Sequence, residues 1–445
     1  MRIHQLALAT VALPLVLWAQ PSAANPPLKL SLRQAIAAAL SPGGDARWEI
    51  AEAGVQQAEA HWTGARAALL PSVDVFAAEQ GQARSLDAFG LGRVQIPVPG
   101  FNFPSAVGPF ATFDARVSVS QNLFNPSSRK RVDASRAGVE AAKAETRVAR
   151  NQISTQVAIL YLAALRAAKQ EEVIQANAKL AQALLQLAQH RHAAGEATAL
   201  DISRASAQLS AERQRLLAAE SERAIAWLEL LKTLGASMEA RLELTDTLES
   251  VPTPAYTVQE AVEIALKNRG ELTAQEKRIE GARLNDRAAE LEKLPLIAGY
   301  GDYGALGSTR MASTYTFGVS IRLPVFAGGR RESNRADALA EIRQQELRAA
   351  EMRRRVELEV RRAFEKIRLA GRQVEISEET VRLASDELTH ARRRYDAGLT
   401  LGIEVVEAQT RLARSQDDRV AALYGRGQAI VELAAAMGTI DGLFQ

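Results

Sequence analysis

The feature that most constrains this chain is a helical turn written twice, 203 positions apart. Near the C-terminus the chain reads Arg392-Arg393-Arg394-Tyr395-Asp396-Ala397-Gly398, continues over residues 399–403, and resumes as Glu404-Val405-Val406-Glu407-Ala408. At that offset Arg191 falls on Arg394, Ala194 on Ala397, Gly195 on Gly398, Asp201 on Glu404, Ala205 on Ala408 and Leu209 on Leu412. Glycine tolerates the left-handed conformation that ends many helices, and a carboxylate suits the positive end of the next one. Each copy therefore describes the tip of a helical hairpin, and the chain is expected to be one architecture built from two halves.

The echo extends upstream. Ser31-Leu32-Arg33-Gln34 and Thr257-Val258-Gln259-Glu260 both have the form of a capping box, in which a hydroxyl caps the first turn and a longer side chain reaches back. Each helix then meets a Leu-Pro stop, Leu70-Pro71 and Leu294-Pro295. Strand patterns follow both stops. Phe113, Ala115, Val117 and Val119 alternate with polar neighbours, as do Tyr315, Phe317, Val319, Ile321 and Leu323, which predicts one apolar and one polar face. Shorter candidates near 72–80 and 296–304 complete a β-hairpin in each half. The first hairpin's loop, residues 81–110, is 22 residues longer than the second and rich in Gly, Pro and Phe, so it reads as an exposed loop.

Two readings of the hairpins are open at this point. They could form a small sheet packed on a helix, or their apolar face could meet lipid while the polar face lines a lumen. Four strands cannot close a barrel, and open sheet edges do not occur in lipid. A membrane reading therefore requires several chains to pool their strands.

The remaining sequence is helical. No proline occurs between Pro126 and Pro252, and none follows Pro324. In the second half Val360, Ile367, Val374, Val381, Leu388 and Tyr395 are each seven apart, with Ala363, Ala370, Ser377, Ala384 and Ala391 three after the first five. The first half has a shorter version in Val173, Leu180 and Leu187. Such heptads predict coiled-coil packing, in an ordinary coiled coil or in a wall of side-by-side helices.

Residues 1–24 read as a secretory signal: Arg2 and His4 precede an apolar run over 6–18 and the small residues Ser22-Ala23-Ala24. That run falls short of the roughly 20 residues a spanning helix needs. The absence of cysteine excludes disulfides, thiolate metal sites and lipid attachment at a cysteine. A net charge of +3, with the charges interspersed, gives no nucleic-acid surface. His190 and His192 are two apart and do not share a helix face. No Ser/His/Asp set, zinc-protease motif or nucleotide fingerprint occurs. No catalytic residue, metal or cofactor is expected.

Helix, strand hairpin, long helix, tip and long helix, repeated behind a signal segment, resemble the TolC-like outer-membrane efflux protein family. Its most specific pieces here are Asn122-Leu123-Phe124-Asn125, Pro324-Val325-Phe326-Ala327-Gly328-Gly329 and the two Gly-centred tips. The resemblance implies a mainly α chain with membrane β: long coiled-coil hairpins forming a periplasmic α-barrel, and four strands given to a shared outer-membrane β-barrel of a homotrimer. It also implies a periplasmic adaptor and an inner-membrane transporter as partners. The corresponding segments are a first-repeat helix (25–70), a first β-hairpin (71–124), a first long helical hairpin (125–231, tip at 195–200) and an inter-repeat equatorial segment (232–256). A second-repeat helix (257–294), a second β-hairpin (295–326), a second long hairpin (327–430, tip at 398–403) and an equatorial tail (431–445) follow.

Glu404 and Glu407 lie three apart at the start of a helix and share a face. The family carries paired acids six and nine after the tip glycine, so these two would form a carboxylate ring at the entrance, which favours cations. A solvated face with Glu407 paired to Arg411 is the plainer alternative. Asp201 and Tyr395 match a family carboxylate and tyrosine that link the entrance helices shut, although Tyr395 also completes the heptad. Where the family archetype has an arginine two after the second tip glycine, this chain has Thr400, so the closed state would either be looser or take its cation from Arg191, Arg204 or Arg394. Gly195, Glu196, Ala197, Thr198, Gly398, Leu399, Thr400 and Leu401 are the expected adaptor contacts. The function expected is a passive exit channel for efflux or secretion. The alternative is a periplasmic coiled-coil adaptor, which would show one helical hairpin where this chain shows two.

Overall fold

The computed structural model describes residues 28–90, 98–100, 104–251 and 255–442. The expected signal segment, residues 1–24, lies outside the described residues, as do positions 91–97 and 101–103 of the long loop and the last three residues of the expected tail. The first half runs β1 (Leu28–Leu30), α1 (Leu32–Ala39), α2 (Ala46–Ala67), β2 (Ser72–Ser85), β3 (Ala106–Phe124), α3 (Pro126–Ala193) and α4 (Ala199–Thr233). The second half repeats the order: β4 (Leu242–Leu244), α5 (Val258–Asn268), α6 (Gly270–Leu291), β5 (Leu296–Gly307), β6 (Met311–Arg322), α7 (Arg330–Asp396) and α8 (Gly402–Met437). β1 and β4 pair in parallel, so the two halves meet through equivalent strands.

Both capping boxes form, at Ser31/Gln34 and at Thr257/Glu260. The helices they open are shorter than expected. Residues 25–70 are not one helix but include β1, α1 and α2, with a turn over residues 41–44 and Asp45 capping α2. Residues 257–294 likewise split into α5 and α6 at Arg269, whose backbone is extended (ψ 118°). The second break falls beside a close helix contact. A Cβ on Gly270 would stand 2.9 Å from the Ala144 carbonyl oxygen and 3.0 Å from Val148 Cγ2, so α6 reaches α3 closely only with glycine there. Spacing along the sequence carries no trace of that approach.

α3 and α7, of 68 and 67 residues, are unbroken, and at a 1.5 Å rise each is about 100 Å long. The heptad residues of α7 face inward: Val360, Ala363, Ala370, Val374, Ala384, Leu388, Ala391 and Tyr395 are buried. The largest core lies where β1, α1, α3, α4, β4 and α8 meet. At its centre Tyr161 is fully buried, and its hydroxyl lies 2.8 Å from both the Leu30 carbonyl and Asp246 Oδ2. Burial, followed by the Asp246 carboxylate, pushes that phenol well above its usual range. Asp246 Oδ2 also accepts the Leu32 N–H at 2.8 Å, so one carboxylate ties β4's end to the start of α1. The C-terminal segment is helical through Met437 and ends in a short 3-10 turn, so the tail begins later than position 431.

The longer strands form one antiparallel sheet in the order β2-β3-β5-β6. β2 and β3 extend into both ends of the expected 81–110 loop, because their pairing continues to Ser85↔Ala106. The register places apolar residues in rows across the sheet, Val73–Val119–Gly301–Phe317 and Val75–Val117–Tyr303–Tyr315. The row between them is Asp74–Ser118–Asp302–Thr316, on the opposite face. There Arg116 bridges Asp114 at 2.6 Å and Asp302 at 3.3 Å. The apolar face is uncovered within the chain: Val75 is 80% and Phe317 81% exposed. No described helix is long and apolar enough to cross a membrane.

Candidate functional site at the hairpin tips

The two tips close by the same hydrogen-bond pattern. Gly195 (φ +78°) and Gly398 (φ +73°) take the left-handed conformation, which costs a residue with a Cβ about 1–2 kcal/mol. Gly195 N donates to His192 O and Glu196 N to Arg191 O, each at 2.9 Å. Gly398 N and Leu399 N repeat this with Tyr395 O and Arg394 O, again at 2.9 Å.

Beyond the glycines the copies diverge. Thr198 caps α4 in a full capping box, with Asp201 Oδ2 accepting Thr198 N at 3.0 Å and its hydroxyl at 2.8 Å. Leu401 stands at the matching position before α8 with no side-chain cap. Asp201, expected as half of a gating link, thus commits one oxygen to its own helix. The other points toward the second hairpin: a Cβ on Gly402 would meet Asp201 Oδ1 at 3.0 Å and Tyr395 Cε2 at 3.5 Å. Asp201, Gly402 and Tyr395 therefore converge. Among the described residues the buried Tyr395 hydroxyl has no hydrogen-bond partner, so no bond joins it to Asp201 within one chain. Burial raises the Tyr395 phenol above its ordinary value, the Asp201 charge adds to this, and Arg191 opposes it.

Arg191 is the residue whose placement spacing does not reveal. Its guanidinium lies 4.5 Å from the Tyr395 ring centroid, and Nη1 donates to the Tyr395 main-chain oxygen. Of the three arginines that could stand in for a cation at Thr400, Arg191 is the one that reaches the other hairpin. Thr400 itself is half-buried, with its hydroxyl lacking a partner among the described residues.

Glu404 is half-buried and Glu407 exposed, both on the first turns of α8. Arg394 reaches Glu404 at 3.5 Å. Arg411 comes within 3.9 Å of Glu407 but is held by Glu387 of α7, with Nε at 3.0 Å and Nη2 at 2.5 Å. That hydrogen bond holds the Glu387 carboxyl below its usual range. Glu387, Glu404 and Glu407 thus share the two guanidiniums of Arg394 and Arg411. At the outermost points of the tips, Leu200, Leu399 and Leu401 are 56%, 72% and 68% exposed. Gly195, Glu196, Thr198 and Gly398 are also exposed and Ala197 is half-buried. Among the described residues no group of His, Asp or Glu is placed to hold a metal ion.

The fold is that of known channels. The outer membrane protein VceC from Vibrio cholerae superposes with a TM-score of 0.75 at 20% identity, over 92% of this chain and 96% of that one. In sequence, the chain is 26% identical over 395 residues to the pyoverdine export outer membrane protein OpmQ of Pseudomonas putida, covering 87% of this chain and 82% of that protein. It is 22% identical over 288 residues to the proteases secretion protein PrtF of Dickeya chrysanthemi, covering 62% of each. The pattern of the outer membrane efflux protein family matches residues 49–236 and 261–439, one stretch in each half of the duplication. With its helical hairpins, its sheet and both tips inside those stretches, the chain belongs to the outer membrane efflux protein family, whose members serve as outer-membrane exit channels for efflux or secretion.

Proposed function

We propose that three copies of this chain pool their four-stranded sheets into one closed barrel, and that the paired tips form the periplasmic entrance of the resulting channel. The observation that carries this reading is the sheet itself. β2 and β6 each have a neighbour on one side only, and the apolar face beside them is uncovered. In lipid such edges must be paired, and closure by identical chains is the arrangement that pairs all of them. Three as the copy number follows the family resemblance.

At the entrance, Glu404 and Glu407 supply a cation-preferring ring, with Arg394 and Arg411 tempering its charge. Asp201 and Tyr395 form the gating link between neighbouring hairpins: the carboxylate's second oxygen faces Gly402 beside the Tyr395 ring, and the phenol makes no hydrogen bond among the described residues. Residues 195–198 and 398–401 dock a periplasmic adaptor, whose inner-membrane transporter drives the cargo. The exposed leucines at the tips suit packing against another helical hairpin.

The test is the reversal potential of the purified protein in a planar bilayer under a salt gradient. Wild type is expected to prefer cations. The double variant Glu404→Gln/Glu407→Gln is expected to lower the cation-to-anion permeability ratio severalfold. An unchanged ratio removes these residues from the selectivity ring, and a protein that inserts as single chains removes the pooled barrel.

A further inference from the structure

The turn from strand to long helix is written twice, and the two copies are finished differently. In the first half Leu123-Phe124-Asn125 leads into α3, and the cations behind it have acid partners. Lys130 pairs with Asp133 at 2.8 Å, and Arg131 with Glu292 of α6. In the second half Val325-Phe326-Ala327-Gly328-Gly329 leads into α7. There Arg330 and Arg331 have no acid partner among the described residues. The aromatic differs too: Phe124 is 39% exposed, and Phe326 is 88% exposed.

Beside Phe326 a cavity of about 320 Å³ is lined by Pro324, Ala327, Arg330, Arg331, Asn334 and Glu292. Its one acid, Glu292, is engaged by Arg131 and accepts from Asn334 Nδ2 at 3.5 Å. Glu332 follows the two arginines in sequence but does not line the cavity. Arg331 Nη2 donates to the Val325 carbonyl at 3.2 Å, which ties this cation to the loop carrying Phe326. Its Nε is buried without an acceptor. The cavity thus holds guanidinium donors in want of an anion, and guanidinium forks match phosphate oxygens.

The level of the cavity says which phosphate. β6 ends at Arg322 and α7 begins at Arg330, so the cavity sits where the sheet gives way to the periplasmic helices. The bare apolar line of β6, Phe317, Val319, Ile321 and Leu323, is carried past the strand's end by Val325 and Phe326. Aromatic girdles of membrane barrels mark the boundary between acyl chains and headgroups, and arginines just beyond it meet anionic lipid.

We propose that this cavity binds the headgroup of an anionic phospholipid from the periplasm-facing leaflet, with Arg330 and Arg331 on its phosphate and Val325 and Phe326 against its acyl chains. One lipid per chain then fixes the depth at which β6 passes into α7. This rests on the sheet lying in the membrane, as read above.

The delipidated protein is titrated in detergent with dioleoylphosphatidylglycerol or with dioleoylphosphatidylcholine, and native mass spectrometry counts lipids on the intact assembly. Wild type, Arg330→Gln, Arg331→Gln and the double variant are compared. Arg382→Gln, at an exposed α7 arginine paired to Glu379 in the same helix, is the control. Wild type is expected to hold one phosphatidylglycerol per chain and to prefer it to phosphatidylcholine by roughly tenfold or more. Each single variant should weaken phosphatidylglycerol binding roughly fivefold and the double variant roughly 25-fold, with phosphatidylcholine binding within twofold of wild type and Arg382→Gln unchanged. Equal affinity of wild type for the two lipids overturns the site, as does a double variant within twofold of wild type. Displacement of the lipid by an equal concentration of inorganic phosphate reduces it to a free-phosphate site and overturns the lipid. An intact assembly that takes up no phosphatidylglycerol shows that a neighbouring chain covers the cavity, and also overturns it. Should Arg331→Gln disturb the loop it holds, Arg330→Gln decides by the same criterion. The same spectra score the pooled barrel separately: a mass of three chains without lipid preference sinks the lipid site alone, and a mass of one chain sinks the pooling.

Discussion

In the proposed entrance ring Arg394 and Arg411 set how much charge is available, and each makes a separate prediction. Arg394 has Glu404 as its ion-pair partner at 3.5 Å, so Arg394→Ala frees a carboxylate and raises the cation preference read from the reversal potential. Arg411→Ala frees both Glu387 and Glu407 and raises it more. A drop in either variant contradicts the ring. Tyr395 gives a pH prediction. Burial raises its pKa above the ordinary phenol value of 10.0, so the unfolded chain ionises first and the folded chain holds the extra proton. Its contribution to stability is therefore full below about pH 10 and is lost as pH rises past that value. Thermal melts should be flat from neutrality to about pH 10 and fall above it, and Tyr395→Phe should remove part of the fall. At the residue scale the sequence foretold which types gather at the tips but not their partners. Arg191 could be singled out from its duplicate, but that it leaves its own hairpin depends on how α3 lies against the second hairpin, where it packs on α8.

At the scale of elements, the duplication showed the capping boxes, the strand faces and both tip glycines. These signals are local, and each is a spacing of residues within a few positions. The break between α5 and α6 and the extension of β2 and β3 into the loop were not local, and they were missed. The first falls where Gly270 passes within contact of Ala144 in α3, and the second depends on pairing between strands 20 residues apart in sequence at their far ends. Gly270→Ala should therefore destabilise the protein by about 1–3 kcal/mol, as overpacking does, measured by denaturant titration of the detergent-solubilised protein. A change below about 0.5 kcal/mol would mean α6 can retreat without loss. The unequal capping of the tips gives a second test. Thr198→Ala removes the α4 cap at a cost of about 1 kcal/mol, and hydrogen exchange at the start of α4 should rise to match that of the uncapped α8. Equal exchange before and after would show the cap to be idle.

The whole molecule is a chain whose sheet is unfinished. Its helices bury their heptads within the chain, yet Val75, Phe317, Val319 and Ile321 lie bare on one face of a sheet with two free edges. That mismatch is what makes pooling of strands the central claim. A charge on the bare face, Val319→Arg, should cost about 2–4 kcal/mol if the position lies near the bilayer midplane and abolish outer-membrane assembly without disturbing helix content. The claim is tested most directly at the edges. The chain has no cysteine, so one cysteine at Val75 on β2, paired in turn with one at Tyr315, Phe317 or Val319 on β6, reports only on the engineered pair. Oxidised to completion in membranes, the pair that matches the register between chains should yield a covalent species of three chains. No inter-chain product at any of the three positions, or a species that stops at two chains, would contradict it.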